Sequence, residues 1–310
     1  MAQYALRRLL SAIPTLFLII TIAFFMIRVA PGGPFDTENI RPEIQANLME
    51  KYNLDEPLWM QYGRYLSNIA TGNFGPSFQY PDRTVTELIA SGFRVSAPLG
   101  ASAILLAFLV GVTLGTIAAV KQNGWLDHAL MSTAMIGISI PNFVVAPLLI
   151  LIFAVGLDLL PIGSQAGAIT PATLLMPVVA LALPQIAYIA RITRGSMIET
   201  LHSRFIRTAY AKGLPMRVIL LRHALRPALL PVVSYLGPAI AAILTGSVVI
   251  EQIFGLPGIG RYFVQGALNR DYTLVMGVVI FYGSLIIVLN FLVDLTYALL
   301  DPRVRFGRTQ

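Results

Sequence analysis

Apolar residues in this chain neither alternate nor keep to one helical stripe. They fill runs of about 20 residues, the length that crosses a hydrocarbon core at about 1.5 Å per helical residue. Six runs qualify: Leu9–Val29, Ala97–Val120, Ala129–Leu157, Ala172–Ala190, Ala228–Ile250 and Thr273–Leu300. The third and sixth are longer than needed, which predicts tilt or extension into the interface. The pattern predicts an all-α membrane protein with six transmembrane helices. The first run follows Arg7 and Arg8, as a signal peptide would. Its stretch of 21 residues exceeds the usual apolar length of about 7–15, and Pro31 would sit beside any cut after Ala30. It reads as an uncleaved span.

Polar residues divide the chain into a tail and first span (1–30), an extracytoplasmic segment (31–95) and a five-helix core (96–310). The 31–95 segment is too long for a simple connector. Within it, Asn39–Met49 and Pro57–Ala70 have the periodicity of short amphipathic helices, and Thr71–Phe78 is turn chemistry. The segment reads either as a cap packed on the membrane surface or as a docking surface for an external partner.

Composition narrows the function classes. Of 310 residues, 56% are hydrophobic and 12% charged, and mean hydropathy is +0.73, which excludes a soluble enzyme and a disordered chain. With no cysteine there is no disulfide and no thiolate site. The net charge of +7 suggests nucleic acid only if the basic residues line one soluble face, and they do not. Fourteen of the 22 Lys and Arg fall in one set of loops, and five of the other eight lie in the long 31–95 segment. The fourteen-residue side is therefore expected to be cytoplasmic, with both termini inside.

No catalytic constellation is visible. Lys51, Lys121 and Lys212 are the only lysines and none follows a glycine, so no GxxxxGK[ST] phosphate cradle exists. His128, His202 and His223 all fall in loops, and no metal motif is present. Asp294 is the main ionisable group inside a span; a proton relay would want more than one, so it reads as a structural hydrogen-bonding group. The spans are instead rich in proline: Pro141, Pro147, Pro177, Pro184, Pro231 and Pro238 interrupt the third to fifth runs. Polar residues share those runs, among them Asn142, Gln185, Tyr188 and Tyr235. They suggest a path or a moving core, the alternative being packing by small and polar side chains. Gly111 and Gly115 fit the GxxxG packing pattern.

The longest inner loop, Arg191–Pro227, carries eight Lys or Arg and one acidic residue, Glu199. Val218, Leu221, Leu225 and Leu229 predict an apolar stripe on a helix leading into the fifth span. Ahead of it, Arg204–Lys212 has the length of two helical turns. Gly213 can take the left-handed C-cap and Pro215 prevents continuation. Ala209 and Ala211 leave the backbone approachable. A short capped helix of this kind is a docking knob.

These residues resemble the EAA motif of permease subunits in ABC importers, EAA-x3-G-x9-I-x-L-P. Arg207-Thr208-Ala209 stands in the EAA place, Gly213 is the glycine, and His223, Leu225 and Arg226 fall on the I, L and P places. Ala209, Gly213 and Leu225 match the strict form. The Arg-Thr-Ala-x-Ala-Lys-Gly variant resembles the dipeptide, oligopeptide and nickel branch. So do Gly255-Leu-Pro-Gly-Ile-Gly260, Ala267–Tyr272, Arg191–Met197, Phe143–Leu148 and the opening Leu6–Pro31. The likeness spans nearly the whole chain and is nearest the B-type permease subunits of oligopeptide importers. It implies the type I ABC importer permease fold in a bacterial inner membrane. It implies half of a translocation pathway, partnered by a homologous second permease, two cytoplasmic ATPase subunits and an extracytoplasmic substrate-binding protein that delivers peptide. ATP and Mg would be bound on the ATPase subunits, and this chain would carry no cofactor and no catalysis. Arg204, Phe205, Arg207, Thr208, Ala209, Ala211, Lys212, Gly213, Leu214 and Pro215 would form the coupling helix. Asn142, Gln185, Tyr188 and Tyr235, with Gly255, Pro257, Gly258 and Gly260, are candidates for the channel lining or a gate. Nickel or glutathione could replace peptide. A proton-coupled secondary transporter is the rival reading.

Overall fold

The computed structural model describes residues 2–29, 33, 49–50, 52–163 and 169–300, with side chains between 10 and 297. Among the described residues the elements are helical, apart from one isolated antiparallel bridge between Pro76 and Thr84. In chain order they are α1 (Ala2–Val29), α2 (Leu58–Ala70), α3 (Val85–Val120), α4 (Trp125–Ser139) and α5 (Asn142–Leu149), which continues as a π segment, Ile150–Gly156. Then come α6 (Pro171–Leu201), α7 (Arg204–Ala211), α8 (Met216–Val218), a second π segment (Ile219–Ala224), α9 (Leu225–Ala228), α10 (Leu230–Ile253), α11 (Ile259–Leu268) and α12 (Tyr272–Leu300).

Helices α1, α3, α6, α10 and α12 are long and apolar enough to cross a bilayer, and α4 with α5 makes a sixth if counted as one broken span. The third run is thus not a tilted single helix. It bends by 100° between α4 and α5. Ile140 is extended there (φ −92°, ψ 118°), the conformation favoured before a proline, and Pro141 leads into α5. The other prolines do not interrupt their runs. Pro177, Pro184 and Pro238 lie inside unbroken helices, and Pro231 sits in the first turn of α10, where a missing N–H costs nothing. Packed neighbours can satisfy or shield the carbonyls that such prolines free.

Helix α6 begins with a capping box. The Thr173 N–H donates to Thr170 Oγ1 (3.3 Å), and the Thr170 N–H donates to Thr173 Oγ1 (3.0 Å). It then runs through Arg191 to Leu201, so the expected inner loop starts at His202. Pro57–Ala70 appears as α2, whereas Asn39–Met49 lies almost wholly outside the described residues.

Packing separates the chain into two units, each drawing on distant sequence: Leu10–Ser96 with Pro257–Leu285, and Ala97–Leu256 with Met1–Leu9 and Ile286–Gln310. In the first, the fully buried Asp271 accepts five hydrogen bonds. Its Oδ2 takes the Ser77 hydroxyl (2.5 Å) and the N–H groups of Phe78 (3.0 Å) and Gln79 (3.1 Å). Its Oδ1 takes the Thr273 hydroxyl (2.9 Å) and the Leu274 N–H (3.1 Å). One carboxylate therefore caps α12 and pins the turn at Ser77–Gln79.

In the second unit, α3 meets α6 at the two GxxxG glycines. A Cβ on Gly111 would stand 2.8 Å from Ile189 Cβ; one on Gly115 would stand 2.6 Å from Thr193 Cβ and press on the Ala190 carbonyl. Gly115→Leu should therefore destabilise the protein by about 1–3 kcal/mol or more through overpacking. Gly195→Leu, on the same α6 but with nothing within 4 Å, should not. Thermal unfolding of the two variants in detergent measures the difference, and equal melting would contradict this contact.

Candidate functional site

The peptide between α6 and α8 is built as an anchored knob. Helix α7 has eight residues, too few to be stable alone in water. It is held by two of them: Ile206 and Ala209 are buried in one cluster with Ala119 of α3, Met197 of α6, Ile219 and Ala224 of the π segment and Ala228 of α9. The other side chains of α7 face outward. Arg204, Phe205, Arg207, Thr208, Tyr210 and Ala211 are exposed, as are Lys212, Gly213 and Pro215 beyond it. Two aromatic rings, Phe205 and Tyr210, about half exposed, stand among three cations. Among the described residues none of Arg204, Arg207 and Lys212 has an ion-pair partner. The Tyr210 hydroxyl donates to Met216 Sδ (3.0 Å), tying the knob to the start of α8.

The end of α7 is a Schellman motif. Gly213 takes φ +72°, its N–H donates to the Tyr210 carbonyl (2.9 Å), and the Leu214 N–H reaches the Ala209 carbonyl (3.3 Å). Leu214 packs on the anchoring cluster, and Pro215 opens the next element.

Two expectations need correction. Ala209 is 5% exposed and faces the protein's own core, so it seats the knob and offers no surface to a partner. The apolar stripe leading into α10 is shifted from Val218, Leu221, Leu225 and Leu229, of which Leu225 does pack on the anchoring cluster. Leu221 is 58% exposed, and the buried positions are Ile219, Ala224 and Ala228. The cause is the π segment at Ile219–Ala224, whose i→i+5 bonding brings residues five apart onto one face.

The lining candidates fall into two groups. Gln185 and Tyr188 on α6 meet Tyr235 on α10: the Tyr235 hydroxyl donates to Gln185 Oε1 (2.9 Å), and the two tyrosine rings lie 5.8 Å apart. Gln185 is buried and Tyr188 partly exposed. Asn142, at the start of α5, lies against Gly246 of α10. Helices α5, α6 and α10 pack on one another, so all four residues belong to one three-helix group. Gly255 (φ +63°) ends α10 with a second Schellman motif: its N–H reaches the Gln252 carbonyl (3.3 Å) and the Leu256 N–H the Glu251 carbonyl (2.9 Å). Gly258 and Gly260 are buried, which contradicts a lining role for them. The Ile259 N–H between them donates to Ser96 Oγ (2.9 Å), and a Cβ on Gly92 would stand 2.8 Å from that nitrogen. They permit close packing, while Pro257 is half-buried.

Sequence reasoning missed one group. Arg194 of α6 donates to Asp127 of α4 from Nε (2.5 Å) and Nη2 (2.7 Å), and Asp127 is 1% exposed. A third span starting at Ala129 leaves Asp127 in a loop, and Arg194 falls among the inner-loop charges and within the Arg191–Met197 stretch, neither of which points to a partner. The signal available was an acidic residue at the head of an apolar run.

Comparison with known proteins identifies this architecture. Residues 111–306 match the family described as binding-protein-dependent transport system inner membrane component, and residues 1–83 match its N-terminal companion. The chain belongs to that family. It is 57% identical over 307 residues to the oligopeptide transport system permease protein OppB of Salmonella typhimurium, covering 99% of this chain and 100% of that one. The Escherichia coli K12 protein of the same name is 58% identical over 307 residues, with the same coverage. The dipeptide transport system permease protein DppB of Bacillus subtilis is 47% identical over 309 residues, covering 99% of each. Among solved structures, the inward-facing MetNI methionine ABC transporter superposes with a TM-score of 0.58 at 19% identity, covering 69% of this chain and 96% of that one; it supports the fold alone. This chain is thus an ABC importer permease, an inner membrane component of a system that depends on a binding protein and an ATPase.

Gly213→Ala isolates the cap. No atom lies within 4 Å of the added Cβ, so the cost is the left-handed backbone, about 1–2 kcal/mol. Hydrogen exchange at the Gly213 and Leu214 amides should quicken roughly 5- to 30-fold. Unchanged exchange would mean that the glycine does not hold the stop.

Proposed function

We propose that this chain forms one transmembrane half of an ATP-driven importer for oligopeptides, and that α7 is where a separate ATPase subunit pushes. The observation that carries the reading is the division of α7. Two side chains root it among α3, α6, the π segment and α9, and the rest project, with half-exposed rings and cations that have no ion pair among the described residues. A helix meant only to pack would bury its aromatic residues. Oligopeptides are favoured over dipeptides because relatives named for the former are 54–58% identical and those named for the latter 40–47%.

The proposed assembly holds a homologous second permease, two ATPase subunits with ATP and Mg on them, and an extracytoplasmic binding protein. In this reading α7 faces the cytoplasm, as do both termini, and the 31–95 segment lies outside. Closure of the ATPases moves α7; its rooted residues pass the displacement to α3 and α6, and the cavity turns outward to receive peptide. To shift the bundle from 1:99 to 99:1, nucleotide must favour one state by about 5.5 kcal/mol, all transmitted through this contact. Gln185, Tyr188, Tyr235 and Asn142 offer amide and hydroxyl groups to passing peptide bonds.

Gly213→Trp tests the docking role. Membrane insertion should be normal, because the site is open. Peptide uptake by the reconstituted complex should fall to background, with ATPase subunits either lost or hydrolysing unproductively. Normal uptake would remove α7 from the mechanism. Arg207→Glu should weaken peptide-stimulated ATP hydrolysis; unaltered stimulation would dismiss an ion pair at that position.

A further inference from the structure

We propose that Asp127 and Arg194 are positioning residues for coupling: their ion pair makes the bent helices α4 and α5 follow α6 when α7 is displaced. This rests on the function proposed for α7.

The argument starts from what α7 touches. Its anchoring cluster takes residues from α3, α6, the π segment and α9, and none from α4 or α5. A push on α7 therefore reaches α6 directly, at Met197. It reaches α4 and α5 indirectly, through their contacts with α6, through the turn from α3 and through the packing of α5 on α10. An apolar contact between two helices is non-directional and does not by itself fix their register. The Asp127–Arg194 pair does: a planar guanidinium gripping one carboxylate with two parallel N–H groups has a single register.

Its location adds to this. Arg194 lies three residues before Met197, about one turn from the place where α7 is rooted. Asp127 lies in the first turn of α4, and its Oδ2 also accepts the Asn123 N–H (2.9 Å), from the turn that joins α3 to α4. One buried carboxylate thus ties three neighbours: the α3–α4 turn, α4 itself and α6. One turn earlier on α6, Arg191 reaches across to Met135 of α4, a contact in the same sense but without a fork. Beyond α4, α5 opens with Asn142, one of the polar groups proposed for the path. The strut therefore connects the driven end of α6 to α4, the half-span that leads through the 100° bend into the one opened by Asn142.

A pair that merely stabilised the fold would, when broken, lower the amount of assembled complex but leave each surviving complex coupled. A strut predicts that surviving complexes spend ATP without moving peptide. The decisive measurement is peptide uptake per ATP hydrolysed, in liposomes, normalised to recovered complex. Asp127→Asn keeps the shape and removes the charge; the ratio should fall by about tenfold, within the usual range for coupling between linked sites. Arg194→Lys keeps the charge and loses the fork; it should give an intermediate ratio. An unchanged ratio in both variants overturns the proposal, however much complex is lost. If Asp127→Asn yields no complex, Arg194→Lys decides alone by the same criterion. Failure of the wild-type complex to bind an ATPase would instead sink the functional reading itself.

Discussion

Burial of Ile206 and Ala209 is the constraint on which the candidate site depends. Eight residues cannot hold a helix in water, and α7 has no other apolar surface turned inward. An isoleucine fully removed from solvent contributes about 1.5–3 kcal/mol, enough to decide the state of so short a segment. Three residues apart, the two side chains fall on one face and fix the helix in rotation. That rotation in turn determines that Phe205, Arg207 and Tyr210 point away from the bundle. Orientation of the outward surface is thus a by-product of which residues are greasy on the inward one.

The same cluster explains an irregularity that regular helix geometry would not accommodate. Ile219 and Ala224 are five residues apart and both buried, and Ala228 follows at the ordinary interval of four. A pure α-helix would rotate one of the three out of the cluster. The extra residue per turn in the π segment keeps all three inward, and places Leu221 outside. The geometry of the segment between α7 and α10 is therefore set by the demand of α7 for a floor.

Much of this was readable from the sequence, for physical reasons that differ by feature. Long apolar runs announce spans because nothing else in the chain is so uniform, and α1, α3, α6, α10 and α12 lie where those runs lie. Gly213 followed by Leu214 and Pro215 announces a stop, since glycine tolerates φ +72° and proline cannot continue a helix. That Pro141 alone of the six prolines in these runs makes a break, and one of 100°, was hidden, because hydropathy is blind to direction. The partners of Asp127, Asp271 and Gln185 were hidden too. Each is held by residues far along the chain, Arg194, Ser77 and Tyr235, and one sequence carries no record of distance in space.

Two helices, α7 and α10, finish with the same three residues, Gly-Leu-Pro, and the same pair of backbone hydrogen bonds. Neither stop recruits an ionisable side chain into those bonds. The bonds themselves are between backbone groups, unlike those of a charged cap. Where a bilayer separates solutions of unequal acidity, a rod ended by main-chain groups keeps its closing bonds without asking any side chain to hold a charge.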